Sequence, residues 1–283
     1  MPISNAAAQS FEDDEENGVS METFETILTE EKDDVLICRF NRPDRRNAVD
    51  DRMHKELVRL FTAIAARDDL HVVILTGEGV AFCAGGDIAH MDDTFEHHDE
   101  AHDGLFRDAA NLFRAILSVR QPIIAAVNGD AIGLGASLAV LSDIVFMSRT
   151  ARIGDPHIRA GLVPGDGGLI AWPLLMPLNQ VKELLFTGRL LHAEEAQRLG
   201  LANRVVDPDS LEEEALEFAR DLAKTPQHAL RFTKRILNKL LEERATYALD
   251  LGLAFEAVTL GTADHKQAVA SFVSKAKRVR DSD

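Results

Sequence analysis

The sequence contains little that would suit a secreted, membrane-spanning or nucleic-acid-binding protein. It has two cysteines in 283 residues, too few for a disulfide framework and typical of a reducing compartment. No apolar run approaches the roughly 20 residues of a membrane helix, and no basic and apolar signal segment begins the chain. Acidic residues outnumber basic ones by 47 to 31, which does not favour nucleic-acid binding. We therefore expect a soluble cytoplasmic protein without membrane or nucleic-acid partners.

Negative charge is concentrated at the N-terminus. Residues 1–34 contain eleven acidic residues and one lysine, and so carry most of the net charge of −16. Such a composition is typical of a solvated, disordered segment. We predict a disordered acidic tail over residues 1–22, followed by a chain that is apolar enough to form a large core.

The stretch from Pro122 to Asp143 predicts a strand, a glycine-rich turn and a helix. Its apolar strand ends at Asn128, and Gly133 and Gly135 allow the backbone to approach another group closely. The first N–H groups of a helix have no partner within it and favour negative charge. Dinucleotide, phosphate-loop and nucleophile-elbow patterns are all incomplete here. We therefore interpret the expected anion as the oxyanion of an enolate.

A second glycine-rich turn, Gly79 to Ile88, follows another apolar strand. Asp50 is suited to cap a helix with an apolar face from Met53 to Ile64. Strands and helices alternate along most of the chain, which predicts α/β layering with mostly parallel strands. Everything after Ser210 is predicted to be helical, with wide apolar faces that need burial.

The motifs "AFCAGGD" and "AAVNGDAIGLGAS" together resemble the crotonase superfamily, also called the enoyl-CoA hydratase/isomerase family. The resemblance runs from about Thr23 to Arg278. It implies an α/β fold with a crotonase-like spiral of ββα repeats over residues 23–206 and a C-terminal helical trimerisation region over residues 207–283. It also implies a homotrimer, or a hexamer formed by two trimers.

The resemblance further implies an acyl-CoA thioester substrate, with coenzyme A entering as part of the substrate and no covalently bound cofactor. The expected reaction is hydration, dehydration or isomerisation of an enoyl-CoA, as a lyase or isomerase of fatty acid metabolism. Gly86 N–H and Leu134 N–H would form the oxyanion hole.

The two glutamates that share a water molecule in the hydratases are absent, and the corresponding positions hold Ser137 and His157. These residues cannot replace two carboxylates in the same way, so we expect standard hydration to be inefficient. We predict His157 as the acid-base group, because imidazole titrates near neutrality. Asp166 would orient it or act as the base, although an aspartate there could also simply cap a helix.

Two alternative functions stay open. The spacing of His157 and Asp166 also resembles the β-diketone hydrolases, such as 6-oxocamphor hydrolase, which cleave a C–C bond by attack of water on a ketone. A distant glutamate of that branch corresponds to Glu256, but its additional histidine would fall near Leu134. The missing hydratase glutamates are also compatible with a catalytically silent subunit.

The resemblance places coenzyme A along a loop with Arg45 and Arg46 and beside the C-terminal Phe272 and Lys275. Cations there suit phosphates, although the arginines and the lysine could also form an ordinary solvated surface.

The cleft would be completed by Ala84 and Ile88. We predict no metal site, because the histidines at 97, 98 and 102 lack a clear third ligand. Cys83 lacks an activating histidine, and Asp130 is interpreted as a turn residue.

Overall fold

The computed structural model describes residues 23–87 and 98–280, apart from the side chains of residues 98–106, 273 and 275–280. The predicted acidic tail, Ile88 and His97 lie outside the described residues. The side chains of His98 and His102 do as well. The predictions made for all of these stay predictions.

The described residues form ten strands in two sheets. The larger sheet has the order β1-β2-β3-β5-β7-β10 and the smaller one the order β4-β6-β8-β9. Pairing is parallel except between β1 and β2 and between β8 and β9. The strands are β1 (Ile27–Lys32), β2 (Val35–Phe40), β3 (Val72–Gly77), β4 (Ala81–Cys83), β5 (Ile123–Val127), β6 (Asp130–Ile132), β7 (Ile144–Ser148), β8 (Arg152–Gly154), β9 (Leu191–His192) and β10 (Arg204–Val206).

Nine α-helices and three short 3-10 helices complete the described chain. The α-helices are α1 (Asp51–Ala66), α2 (His98–Ser118), α3 (Leu134–Leu141), α4 (Gly168–Leu175), α5 (Leu178–Thr187), α6 (Ala193–Leu199), α7 (Leu211–Ala223), α8 (Gln227–Leu260) and α9 (Ala263–Arg280). The 3-10 helices are Pro43–Arg45, His157–Ala160 and Pro208–Ser210. No helix among the described residues combines the length and apolar character needed to cross a bilayer.

From β3 to β8, successive strands alternate between the two sheets. In the pairs β3–β4, β5–β6 and β7–β8, the first strand joins the larger sheet and the second joins the smaller one. The pair β5–β6 leads directly into α3. This arrangement confirms the predicted α/β fold with mostly parallel strands and a C-terminal helical region.

Both faces of the larger sheet are buried, as expected for parallel strands covered by helices. Val35 and Ile37 pack in one cluster with residues of α7, whereas Leu36 and Cys38 on the opposite face join the main core. The main core includes the predicted apolar face of α1, and Asp50 caps that helix by accepting from the Met53 N–H at 2.9 Å. The sheets and helices thus hold the two glycine-rich turns on a rigid support.

The long helix α8 has an outer face that the described residues do not cover. Its exposed apolar side chains are Phe232, Ile236, Leu237, Leu240, Tyr247, Leu251, Phe255 and Val258. Such a face favours contact with another protein surface.

Candidate active site

The two glycine-rich turns lie against each other at the carboxyl ends of β4 and β6. A Cβ on Gly85 would lie 2.9 Å from the Ile132 carbonyl oxygen and 3.9 Å from the Gly133 Cα. Gly133 itself has a φ of +53° and donates its N–H to the Gly154 carbonyl at 2.9 Å. Only glycine combines this backbone conformation with such close packing.

Gly86 and Leu134, the predicted oxyanion donors, directly follow these glycines. A parallel bridge joins Val49 to Gly86, but its hydrogen bonds use the neighbouring residues, Gly85 and Asp87. Leu134 is the first residue of α3, where an N–H has no acceptor within the helix. Across the described part of the chain, neither N–H donates to a protein acceptor. Both are therefore available to bind an oxygen, and their role as an oxyanion hole stays a prediction.

His157 lies beside the second turn and is surrounded by carboxylates. A Cβ on Gly133 would lie 3.3 Å from its Cε1. Its Nδ1 is hydrogen-bonded to Asp155 Oδ1, which also accepts from the His157 N–H at 3.2 Å. Its Nε2 lies 3.8 Å from Asp166 Oδ2 and 4.0 Å from Glu256 Oε1. The structure thus brings together three of the predicted residues and adds a fourth, Asp155. We call Asp155, His157, Asp166 and Glu256 the histidine cluster.

Each carboxylate reaches the cluster from a different element. Asp155 follows β8, Asp166 precedes α4, and Glu256 extends from α8. A Cβ on Gly165 would lie 2.5 Å from Glu256 Oε2, so a glycine at this position allows α8 to approach. Ser137 Oγ donates to Asp166 Oδ1 at 2.8 Å. Ser137 therefore holds the Asp166 carboxylate beside the position where the hydratases carry a glutamate.

Burial and mutual attraction shift the protonation of the cluster. Burial alone would lower the pKa of His157, but the charges of Asp155, Asp166 and Glu256 outweigh it and raise this pKa to about 10. Burial raises the pKa of Glu256 to about 7, although the positive charge of His157 opposes the shift. Burial also raises the pKa of Asp166, against the effects of His157 and of hydrogen bonds from Ser137 and the Gly168 backbone. Near neutral pH the imidazole is therefore protonated, while Glu256 is close to half ionised.

Part of this cluster has the composition of a metal site. Asp155, His157 and Asp166 each offer one ligand atom, and these atoms lie within 4.8 Å of one another. Asp155 Oδ1 is hydrogen-bonded to the imidazole, whereas Asp155 Oδ2 is buried without a hydrogen-bond partner among the described residues. The prediction of no metal stays a prediction.

The residues predicted to bind coenzyme A are only partly described. Arg45 and Arg46 are exposed, and the Arg46 carbonyl accepts from the Ala84 N–H at 3.0 Å, so their loop lies beside the first glycine-rich turn. Phe272 is exposed on α9, and the Lys275 side chain is not described. None of these residues belongs to the histidine cluster, as expected for groups that would contact a distant part of the ligand.

Sequence reasoning missed three residues that fix this site. Asp155 is two positions before His157 in "DPH", and an acid so close to a candidate histidine could have been noticed. Arg42 forms ion pairs with Asp50 at 2.9 Å and Asp87 at 3.1 Å, which ties its loop to the first turn.

The third missed residue is His265, which is fully buried on α9. Its Nδ1 lies 2.5 Å from the Ala160 carbonyl oxygen, at the end of the 3-10 helix that begins with His157. No local sequence signal indicates this contact, because the two residues are far apart in the chain.

Two further residues considered in the sequence lie outside the histidine cluster. Cys83 is buried, and burial raises its pKa to about 12. Asp130 pairs with Arg152 at 2.6 Å on the adjacent strand. Neither residue is placed to act on a ligand held by the two turns.

The family described as enoyl-CoA hydratase/isomerase matches residues 30–281 of this chain. The chain belongs to the enoyl-CoA hydratase/isomerase family. A probable enoyl-CoA hydratase of Rhizobium meliloti is 35% identical over 90% of this chain and 97% of its own length. These matches confirm the family predicted from the glycine motifs.

Solved structures support the same assignment. An enoyl-CoA hydratase/isomerase from Mycobacterium paratuberculosis is 36% identical with a TM-score of 0.83, covering 88% of this chain and 100% of that one. A β-diketone hydrolase from the cyanobacterium Anabaena, bound to (S)-3-oxocyclohexyl acetic acid, is 31% identical with a TM-score of 0.76. That match covers 84% of this chain and 94% of the hydrolase chain. The crotonase fold of this family member is thereby confirmed.

Proposed function

We propose that this member of the enoyl-CoA hydratase/isomerase family acts on an acyl-CoA thioester and stabilises the enolate of that thioester. The observation that carries the proposal is the pair of N–H groups at Gly86 and Leu134, which come from two turns in contact and have no acceptor in the described protein. Donors fixed in advance stabilise the charge that develops on a carbonyl oxygen. The reaction would be hydration, dehydration or isomerisation of an enoyl-CoA.

The histidine cluster supplies groups that donate and accept protons. His157, with its raised pKa, would act as the acid near neutral pH, and the carboxylate of Glu256 or Asp166, in its ionised form, would act as the base. Environments that separate the protonation of neighbouring groups are how one site performs both roles. In hydration, the carboxylate would accept a proton from water as it attacks the β-carbon, and the imidazolium would protonate the α-carbon.

A second candidate is hydrolysis of a C–C bond in a β-dicarbonyl compound. It is favoured by the convergence of His157, Asp166 and Glu256 and by the similarity to the Anabaena β-diketone hydrolase. Water would add to one ketone carbonyl, and the C–C bond would break to give a carboxylic acid and an enolate. The enolate would then take a proton. Its oxygen would need the same two N–H donors as a thioester enolate.

Deuterium exchange distinguishes the candidates. Acetyl-, butyryl- and crotonyl-CoA are incubated with the protein in D₂O, and deuterium at the acyl group is measured by mass spectrometry. Consumption of a cyclic 1,3-diketone is followed in parallel by ultraviolet absorbance. Exchange or hydration without diketone cleavage supports the thioester reaction, and the reverse supports the hydrolase. No activity with either class would favour the silent subunit.

Matched variants connect the activity to the site. His157→Gln should abolish the activity, whereas His192→Gln should not, because His192 is exposed on β9 away from the cluster. Activity that survives His157→Gln would show that another residue moves the protons. Loss of acyl-CoA binding in an Arg45→Gln, Arg46→Gln double variant would support the proposed coenzyme A contacts.

The exposed apolar face of α8 supports assembly into a homotrimer, or a hexamer of two trimers. Those side chains need a partner surface, and the same helix carries Glu256. Sedimentation equilibrium would measure the number of subunits, and a monomer would contradict the proposal. A cytoplasmic location stays a prediction.

A further inference from the structure

A cavity of about 570 Å³ is lined by none of the residues of the histidine cluster. His71 and Arg120 line it and precede strands β3 and β5, so it opens at the amino ends of these parallel strands. The glycine-rich turns lie at the opposite ends of the strand pairs. The N-terminal part of α8 forms the other wall, with His228, Arg231 and Arg235.

The charges in this cavity are not balanced. Its lining contains three guanidinium groups, which remain protonated in proteins, and one carboxylate, that of Asp68. Arg120 and Arg231 share one oxygen of Asp68, at 2.8 and 3.6 Å. Arg235 has no ion pair within the described part of the chain. By contrast, Arg149 elsewhere on the surface is paired with two carboxylates of its own.

Two of these arginines are held in place by backbone carbonyls. Arg120 donates from Nε and Nη2 to the Ala65 carbonyl at 3.2 and 3.0 Å. Arg231 is only 9% exposed, and its Nη2 donates to the Asp68 and Leu70 carbonyls at 3.1 and 2.8 Å. Its Nε is buried without an acceptor among the described residues. An unsatisfied donor of this kind is costly, and a nearby anion would lower that cost through its attraction to the guanidinium charge.

We propose that this arginine cavity binds a phosphate group, either as inorganic phosphate or as a phosphate monoester. Guanidinium groups bind phosphate oxygens through paired, charge-assisted hydrogen bonds, and groups already fixed in place lose little freedom on binding. The cavity is larger than a phosphate ion, and the rings of His228 and Phe232, 6.1 Å apart, could contact an attached organic group. The protein has a net charge of −16 and therefore repels anions in general. Binding of a phosphate here would depend on the local positive charge of the cavity.

Calorimetric titration of the full chain tests the proposal in roughly 0.15 M sodium chloride, which screens weak surface attraction. The probes are inorganic phosphate and adenosine monophosphate. We expect at least one probe to bind saturably, with a dissociation constant of about 1 mM or lower. Tighter binding of the monoester would identify the organic ester as the ligand, and equal or weaker binding would identify free phosphate.

Variants separate this cavity from the proposed coenzyme A cleft. Arg235→Gln removes an exposed charge and should weaken binding at least about tenfold. Asp68→Asn removes the competing carboxylate and should strengthen binding several-fold.

The control is Arg149→Gln, which should leave binding unchanged, and the Arg45→Gln, Arg46→Gln double variant tests whether the probe binds at the proposed coenzyme A contacts instead. The proposal would be overturned by the absence of saturable binding up to about 10 mM. The proposal would also be overturned if the Arg235→Gln variant bound with wild-type affinity, or if the double variant lost binding. These outcomes are independent of activity on acyl-CoA.

Discussion

Substitution of Asp155 by asparagine removes one charge from the histidine cluster and nearly preserves the side-chain shape. The amide oxygen could still accept from His157 Nδ1, so the imidazole should keep its position. A hydrogen bond to a charged group stabilises that group by about 1.5–3 kcal/mol. A full opposite charge some 4 Å away stabilises a protonated imidazole by about 4 kcal/mol at an effective dielectric constant near 20. We therefore expect the His157 proton to dissociate about 30- to 1,000-fold more readily.

Two measurements follow this proton. An NMR titration of labelled histidine, assigned with His157→Gln, should place the wild-type pKa at about 10, and the Asp155→Asn variant should titrate at lower pH. If protonated His157 is the acid, the rate of α-proton exchange falls as pH rises through its pKa. In the pH profile of the variant, the fall of the exchange rate at alkaline pH should therefore begin at lower pH. At pH 7 its imidazole would still be at least about half protonated, so the exchange rate there should fall by no more than about twofold, whereas at pH 9 it should fall by roughly 4- to 90-fold.

The pH dependence of the unfolding free energy should report the same change in the His157 pKa. Because the pKa of His157 is raised above its ordinary value of 6.5, its contribution to stability is complete below pH 6.5 and is lost as pH rises through about 10. The unfolding free energy of Asp155→Asn should therefore decline less over this interval, as measured by urea denaturation.

Asp130→Asn is the matched control, because Asp130 is also an ion-paired aspartate, less buried than Asp155, and contacts Arg152 instead of the cluster. It should change neither the His157 titration nor the exchange rate. An Asp155→Asn variant with wild-type titration and wild-type exchange would refute the reasoning. It would show that Asp155 does not hold the proton on His157.

Three further predictions concern the same region. Burial raises the pKa of Glu256 from 4.5 to about 7. The contribution of this group to the unfolding free energy is therefore complete below pH 4.5 and is lost as pH rises through 7. Glu256→Gln should then raise the unfolding free energy at pH 8 by up to about 3 kcal/mol, with little effect near pH 4; an equal effect at both pH values would contradict this. A Cβ on Gly135 would overlap the Cys83 carbonyl oxygen, so Gly135→Ala should lower the unfolding free energy by about 3 kcal/mol. Gly261→Ala, where the nearest atom would be 3.6 Å away, is its control, and equal denaturation midpoints would oppose the prediction. Because burial raises the pKa of Cys83 to about 12, iodoacetamide at pH 8 should label this thiol only after denaturation, and rapid labelling of the native protein would be inconsistent with its burial.

Local sequence patterns were sufficient to predict the strands, helices and turns that hold the site. Gly133 and Gly135 were expected to let the backbone approach another group closely, and a Cβ on Gly135 would overlap the Cys83 carbonyl oxygen. The helix after Asp50 and the buried strand before Asn128 were also predicted, because their apolar spacing reflects which face is buried. These features depend on residues close together in the chain.

The smaller sheet could not be predicted in the same way. Its strands β4, β6 and β8 each contain three residues, too few to show an alternating pattern. Residue spacing alone also could not show that Glu256 reaches His157, since α8 must first pack against the segment around Gly165. That placement came from the family resemblance. The arginine cavity had no sequence signal, because its residues come from three separate segments.

The position of Asp166 changes how the missing glutamates should be interpreted. A serine at position 137 would indicate lost chemistry if the carboxylate had simply disappeared, but Ser137 Oγ donates to Asp166 at 2.8 Å and holds a carboxylate there. At the other position, His157 faces both Asp166 and Glu256, so the cluster contains an acid and two potential bases. The proposed proton transfers at a carbon next to a carbonyl would therefore not require a glutamate at position 137 or 157. Both candidate reactions need that proton transfer and an oxyanion hole. What distinguishes them is whether water attacks a carbonyl carbon or the β-carbon of a thioester, and therefore how the substrate lies relative to Asp166 and Glu256.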